Sequence, residues 1–399
     1  MRALAISDLH FGAWTGDPVL AREFALRRLE PHLETIDELI LLGDVFDFLF
    51  STVEHAFAQA DPFFELVRRK LQGKSVVFLA GNHDHHIVVR TLRSLVEARI
   101  ATGAAGEELG RVFEAEYAGF FQRFMDRRLD GVDCRIVYPT HRVGDVLLTH
   151  GHYLDAHMEG SFPNRLQARA TLTIGGVNGN GHLSEEDYEA AIVPLTELLF
   201  TVAQMPRGCT VQMSFHQQFG RIGKLLRLGS MAGARLRRLG GRAGDVASAR
   251  IDRACSPEAP VPLALSAFGQ VARNLGWDRQ ADKIVFAHTH QPLAAQATGS
   301  CEGTRFWNTG SWIFEPPVYS YDAYVGYLSR AWPGTLVLID SDRDEPELIE
   351  TLADQNPLHG GAPRPGEMLR SEIDMFRARG EQFARRARAV AGPEAATRG

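Results

Sequence analysis

Cysteine is scarce. The chain has four in 399 residues, Cys134, Cys209, Cys255 and Cys301, and no two are close enough to form a Cys-x-x-Cys pair. That spacing excludes a thiolate zinc module and gives no disulfide framework, so a reducing compartment is expected. Long apolar runs are missing too. The longest candidate, Ala190 to Ala203, is interrupted by Pro194 and Glu197, and no stretch reaches the length of a membrane span. The apolar run Ala3-Leu4-Ala5-Ile6 stands at the very start of the sequence, so no signal peptide is expected. A cytoplasmic location is the resulting expectation, with peripheral contact to a membrane left open. At 45% hydrophobic and 23% charged residues, the composition is that of a globular protein long enough for one large α/β domain and an insertion.

What is present is a repeated order of residues. Five short apolar runs, Ala3–Ile6, Leu39–Leu42, Val76–Leu79, Val146–Leu148 and Ile284–Phe286, have the character of strands buried on both faces. Each is followed by a polar cluster: Asp8-Leu9-His10, Gly43-Asp44-Val45-Phe46-Asp47, Gly81-Asn82-His83-Asp84, His150-Gly151-His152 and His288-Thr289-His290. Strand ends of an open α/β sheet release the chain into loops that converge outside the sheet, where ligands bind. Asp, Asn and His offer oxygen and imidazole donors, which suit Mn, Fe or Zn better than Ca or a thiolate site. Taken singly, an Asp-x-His after a strand is more often a helix cap or a turn. Five clusters with the same grammar make coincidence a poor explanation, and a dinuclear hydrolase is the hypothesis they support.

The series Asp8-x-His10, Gly43-Asp44-x-x-Asp47, Gly81-Asn82-His83-Asp84, His150-Gly151 and His288-x-His290 resembles the calcineurin-like metallophosphoesterase superfamily, motif by motif and in order, over roughly residues 1 to 155 and 280 to 340. The family's last motif opens with Gly where this chain has Ala287, a position that supplies backbone rather than a ligand. The resemblance implies an α/β fold with two stacked sheets flanked by helices. It implies one ion held by Asp8, His10, Asp44 and His290, and a second held by Asn82, His150 and His288 with Asp44 as the shared bridge. It further implies hydrolysis of a phosphoester or pyrophosphate by a hydroxide between the ions, with His83 as general acid and Asp47 keeping it oriented and protonated.

Elementary chemistry agrees with this division. Two cations roughly 3.5–4 Å apart need a bridging carboxylate to offset their repulsion. Water bound to them loses a proton near neutrality, so no Ser or Cys nucleophile is required. An imidazole suits proton donation to a leaving group, although His83 could instead merely brace Asn82. Asp84 reads as support for a ligand or as the N-cap of a helix from His86 to Ala98. His152 either binds substrate or fills a turn.

Residues 1–152 and 278–345 are expected to form the phosphoesterase domain, 153–277 an α-helical insertion, or cap, and 346–399 a linker and helical C-terminal tail. More than a hundred residues between consecutive ligands exceed any ordinary loop. No strand pattern is visible in the insertion, and Ser184-Glu185-Glu186-Asp187 caps a helix running to about Gln204. Its stretch Arg207 to Arg253 carries ten Lys or Arg against two Asp, a local +8 in a chain of net charge −6, interleaved with apolar residues. Such a field draws anionic partners, and basic plus apolar character fits a lipid or bilayer surface; equally, it fits a surface helix pair with solvated arginines. A narrower resemblance, to bacterial UDP-2,3-diacylglucosamine hydrolases, lies in a helical insertion between the same motifs. Those enzymes carry Arg at the place of His83 and Asp at the place of His152.

Three functional classes follow. The leading one is a metal-dependent hydrolase acting on a small or lipid-linked anionic phosphoester or pyrophosphate. A nuclease is the second, supported by the basic insertion, with nucleic acid as substrate. The third is a non-catalytic scaffold on the same fold, against which stands the retention of a costly buried cluster of charged groups.

Overall fold

Alternation along the strands decides the layering. In the computed structural model, which describes residues 1–14, 16–89, 119–158, 182–206, 261–315 and 327–356 together with Leu172, Gly208, Val211 and Gln212, strands β1 (Arg2–Ile6), β2 (Asp17–Pro18), β3 (Glu38–Leu42), β4 (Ser75–Leu79), β5 (Asp133–Val137), β6 (Thr140–Val143), β7 (Val146–Thr149), β8 (Lys283–Phe286), β9 (Leu293–Thr298), β10 (Cys301–Asn308), β11 (Ile313–Phe314), β12 (Thr335–Asp340) and β13 (Glu347–Glu350) form two main sheets and a small β-ribbon. One sheet has the order β13-β12-β1-β3-β4-β5 and the other β6-β7-β8-β10-β9. β1, β3, β4 and β5 run parallel, as do β7, β8 and β10.

Successive side chains of a strand point to opposite faces. Leu4 and Ile6, Leu39 and Leu41, and Val76 and Phe78 accordingly enter a core shared with outer helices. Their neighbours Ala3, Ala5, Ile40, Leu42, Val77 and Leu79 meet Val146, Leu148, Val285 and Trp307 of the second sheet in a core between the sheets. Leu147, Ile284, Phe286 and Phe306 face a third core on the far side. The result is a helix–sheet–sheet–helix sandwich, and the five runs that looked buried on both faces are so because each lies between two of these cores.

Helices Glu23–Glu34, Val53–Lys70 and Gly119–Arg128 cover the six-stranded sheet. The second shows why it forms: Thr52 caps it by accepting from the His55 amide, Ala56, Ala60, Phe63, Phe64 and Val67 make one buried stripe, and Arg68, Arg69 and Lys70 sit in its last turn. The far face of the other sheet is covered by Val261–Asn274, whose Leu265, Phe268, Val271 and Ala272 are buried in the third core. Helix Glu185–Gln204 starts with a reciprocal capping box between Ser184 and Asp187. Its Tyr188 and Ile192 pack in the third core while Phe200 packs against the first. A 20-residue helix, about 30 Å long, thus reaches from one end layer of the sandwich to the other.

Two details lie across the boundaries expected from sequence. The Val261–Asn274 helix packs in the core of the second sheet although it falls within 153–277. Strand β13, within 346–399, extends the first sheet by pairing antiparallel with β12; four residues reading Glu-Leu-Ile-Glu are too short to announce an edge strand. Among the described residues no strand occurs between His152 and Trp277, and no helix is long and apolar enough to cross a membrane. The basic stretch 207–253 apart from Gly208, Val211 and Gln212, residues 90–98 of the helix expected from His86 to Ala98, and the tail from Met368 lie outside the described residues.

Candidate metal centre

The C-terminal ends of β1, β3, β4, β7 and β8 meet along one edge of the sandwich, and all nine residues singled out from sequence, Asp8, His10, Asp44, Asp47, Asn82, His83, His150, His288 and His290, follow them there. The backbone is bent to deliver them. Asp8, His10, Asp44, His288 and His290 all have positive φ, between 49° and 69°, a conformation costing a non-glycine residue on the order of 1–3 kcal/mol. Hydrogen bonds across the strand ends hold it, from the Asp8 amide to the Gly43 carbonyl at 3.1 Å and from the His10 amide to the Asp44 carbonyl at 2.9 Å. Close approach fixes the glycines: a Cβ on Gly43 would stand 2.3 Å from His150 Nδ1, and one on Gly81 2.2 Å from Asp44 Oδ1.

Three overlapping groups of donors result: Asp8, His10 and His290; His10, Asp44 and His83; Asp44, His150 and His288. On one side His290 Nε2 lies 3.1 Å from Asp8 Oδ1 and 3.3 Å from His10 Nε2. On the other His150 Nε2 lies 3.3 Å from both Asp44 Oδ2 and Asn82 Oδ1. Asp44 belongs to both sides, its Oδ2 also lying 3.8 Å from His10 Nε2. His83 Nδ1 is 2.9 Å from Asp47 Oδ1 and stands beside the His10 ring, with centroids 4.6 Å apart.

The donor set passes a chemical test for divalent cations. Each of the four imidazoles has its outer nitrogen beside an acceptor: His150 Nδ1 at 2.8 Å from the Leu42 carbonyl, His288 Nε2 at 3.0 Å from Asp155, His290 Nδ1 at 3.0 Å from Glu315, and His10 Nδ1 at 3.5 Å from Asp47 Oδ2. A proton held there turns the other nitrogen toward the centre, the tautomer a metal requires; despite burial, Asp44 raises His150 to about 9 and Glu315 and Asp8 raise His290 well above its usual value, so a cation would displace a proton on binding. Asp8 Oδ1 is fully buried and faces His290 Nε2 at 3.1 Å and His10 Nε2 at 3.9 Å, both proposed donors, as befits an oxygen turned toward a cation.

His83 and Asp47 are an electrostatically matched pair. Burial pulls the His83 imidazole down, but Asp47 and then Asp44 outweigh it and raise its pKa to about 9. Asp47 shows the reverse: burial pushes its carboxyl up, yet His83 and His10 hold it at about 2. Burial likewise opposes ionisation of Asp44, and His150, His83 and His10 overcome it, holding the carboxyl well below its usual range. An imidazolium paired with a committed carboxylate is a proton donor at neutral pH. The loop that carries Asp47 is fixed by Phe46, which stacks on Phe48 and Phe64 in the helix-side core.

Asp84 is a staple rather than a cap. Its carboxylate accepts from the backbone amides of Gly81 at 2.6 Å and Val45 at 2.9 Å, with Asp44 and Phe46 at 3.4 Å, tying the loop after β4 to the loop after β3. His152 is buried at the start of a short 3-10 turn, with Nε2 3.3 Å from the Tyr138 hydroxyl, and fills that turn. Sequence gave no sign of Asp155 or Glu315. Neither sits in a motif, and each meets its histidine only because distant loops converge. Both line a cavity of about 200 Å³ beside His288 and His290 whose other walls include Leu154, Met158, Ala264 and Tyr327.

The profile of the calcineurin-like phosphoesterases matches residues 1–196. No curated protein matches the chain. His288 and His290 fall beyond the matched segment, and the convergence of β7 and β8 is what brings them to the residues within it.

Proposed function

From a chain that belongs, through residues 1–196, to the calcineurin-like phosphoesterase family, we propose a metal-dependent hydrolase that cleaves a phosphoester or pyrophosphate bond in a small or lipid-linked anionic substrate. Asp8, His10, Asp44 and His290 would hold one divalent ion, and Asp44, Asn82, His150 and His288 the other, with Mn, Fe or Zn suited to this donor set. Such ions supply Lewis acidity toward phosphoryl oxygens and a water acidified to near neutrality. The observation that carries the reading is the place of Asp44 in two donor groups, one with His10 and His83 and one with His150 and His288, with the His83–Asp47 pair alongside.

The protein's own residues do the rest. His83 gives a proton to the departing oxygen, and Asp47 fixes its orientation through Nδ1 and keeps it charged. Ser7 steadies Asp8 through a short hydrogen bond from its hydroxyl to Oδ2. Asp155 and Glu315 hold the two histidines of the last motif from behind. The neighbouring cavity, with Leu154, Met158, Ala264 and Tyr327 among its walls, supports a substrate that has an apolar portion close to its phosphate.

The test is a hydrolysis screen with added Mn, setting bis-p-nitrophenyl phosphate beside p-nitrophenyl phosphate, nucleoside diphosphate sugars, lipid-linked pyrophosphates and single-stranded DNA. Metal-dependent turnover of a small or lipid-linked ester or pyrophosphate supports the proposal. Turnover confined to DNA, with steep salt dependence, replaces it by the nuclease reading. Silence on every substrate in a protein with two ions per chain replaces it by a scaffold.

A further inference from the structure

A second group of buried ligand-type side chains, His85, His152 and Glu189, lies apart from the proposed donors. Tyr138 and Tyr153 complete it. Glu189 Oε2 accepts from His85 Nε2 at 2.9 Å, and Oε1 accepts short hydrogen bonds from both tyrosine hydroxyls. The Tyr138 oxygen in turn lies 3.3 Å from His152 Nε2. Both carboxylate oxygens and both tyrosine hydroxyls are thus engaged within the group, and only Nδ1 of His85 and Nδ1 of His152 are without a hydrogen-bond partner among the described residues. The group closes as a hydrogen-bond hub on one carboxylate with no cation needed to balance it.

Its position gives it a use. Glu189 comes from the Glu185–Gln204 helix, and on that helix Glu197 Oε1 lies 2.6 Å from His86 Nδ1 while Phe200 stacks on the His86 ring with centroids 3.6 Å apart. Glu189 and Glu197 are eight residues apart, about two turns, and so share a face. The histidines they grip follow directly on the Gly81–Asp84 loop that presents Asn82 and His83. From the other side Asp84 ties the same loop to the backbone of Asp44, Val45 and Phe46. At the far end of the helix, Gln204 bonds the Val53 amide and the Ser51 carbonyl, both at 3.0 Å, so the helix is anchored to the catalytic framework there as well.

We infer that Glu189 and Glu197 are positioning residues for the metal centre, holding the Asn82–His83 loop in register with Asp44 through His85 and His86. The segment between His150 and His288 thereby supplies part of the site's geometry. This inference rests on the ligand and acid assignments proposed above.

The test uses the full chain with Glu189→Gln and Glu197→Gln, which keep side-chain size and remove the charge. Three quantities are read: the affinity for each Mn ion by titration, the melting transition, and the ratio of rates for p-nitrophenyl and alkyl phosphoesters. Both variants are expected to melt cooperatively, to bind one of two ions roughly 10–100-fold more weakly, as outer-shell losses do, and to lose more rate on the alkyl ester. Wild-type affinities together with a wild-type rate ratio in both would overturn the inference and leave the contacts purely structural. A third ion in the wild type that is lost in Glu189→Gln would also overturn it, making the hub a cation site. Should Glu189→Gln fail to fold, Glu197→Gln decides, since that pair is partly exposed. A wild type that binds two ions and hydrolyses nothing sinks the proposed function, while the affinity measurement still decides the positioning role.

Discussion

Asp47→Asn separates charge from shape at the point where the reading of the site is most exposed. Asn keeps an oxygen that can accept from His83 Nδ1 and from the Phe50 amide, the two partners of Asp47 Oδ1 at 2.9 and 3.1 Å. What it removes is the largest influence raising the His83 pKa to about 9, leaving burial, which lowers it, and the weaker pull of Asp44. A fall to the ordinary value of 6.5 would cut the protonated fraction at pH 8 from about nine-tenths to a few per cent, a loss of ~30-fold in available acid. The sign fixes the pH dependence. A depressed imidazole pKa leaves His83 protonated only in acid, so the deficit should be large at pH 8 and shrink to about 1.3-fold at pH 6. The assay is kcat/KM for an alkyl and a p-nitrophenyl phosphoester from pH 6 to 8.5, with bound metal counted in the same samples, because Asp47 Oδ2 also faces His10 Nδ1 at 3.5 Å. Only the alkyl ester should show the full loss, since p-nitrophenolate leaves without help. An equal deficit for both esters at every pH, or a loss of metal that accounts for the rate, would refute the general-acid role.

Asp44→Asn should lower metal content and abolish turnover together, because both donor groups share that carboxylate; elemental analysis showing two ions per chain with full rate would remove the bridge assignment. Gly43→Ala places a Cβ 2.3 Å from His150 Nδ1 on a backbone with φ of +84°, so His150 must move and the backbone alone should cost about 1–3 kcal/mol; unfolding by urea and Mn titration check the two effects, and wild-type values in both would contradict the packing described. Glu38, buried between His141 at 3.2 Å and Arg135 at 2.9 Å, has its carboxyl held low: burial pushes it up, but the His141 bond and its other partners prevail. A depressed folded pKa means stability that is present above the unfolded value and lost as pH falls through the folded one. Glu38→Gln should therefore destabilise at pH 7 by roughly 1–3 kcal/mol and flatten the acid side of the stability curve; parallel curves for mutant and wild type would count against it.

How much of this was legible beforehand depends on the range of the interaction. The runs Ala3–Ile6, Leu39–Leu42, Val76–Leu79, Val146–Leu148 and Ile284–Phe286 are continuous in sequence, and burial on both faces leaves a continuous apolar run as its mark. The ligand-type residues were legible for a related reason, since each follows its own strand and needs no distant partner to be noticed. The Ser184–Asp187 capping box is local as well. Glu189 and Glu197 were not legible. Their partners His85 and His86 are 104 and 111 residues away, and nothing near a glutamate on a helix says that it will be buried. Asp155 and Glu315 escaped in the same way.

Residue order along the chain sets the sandwich's buried strands, the order in which they present Asp, Asn and His, and the end of each strand at which those residues emerge, because backbone periodicity and strand-end loops depend on neighbours along the chain. Folding in three dimensions put Asp44 into two donor groups, set an acceptor behind each of four imidazoles, and brought a helix from the segment between His150 and His288 against the histidines that follow the loop after β4. Those facts depend on the approach of residues more than a hundred positions apart, and packing of two sheets and their helices is what brings such residues within bonding distance.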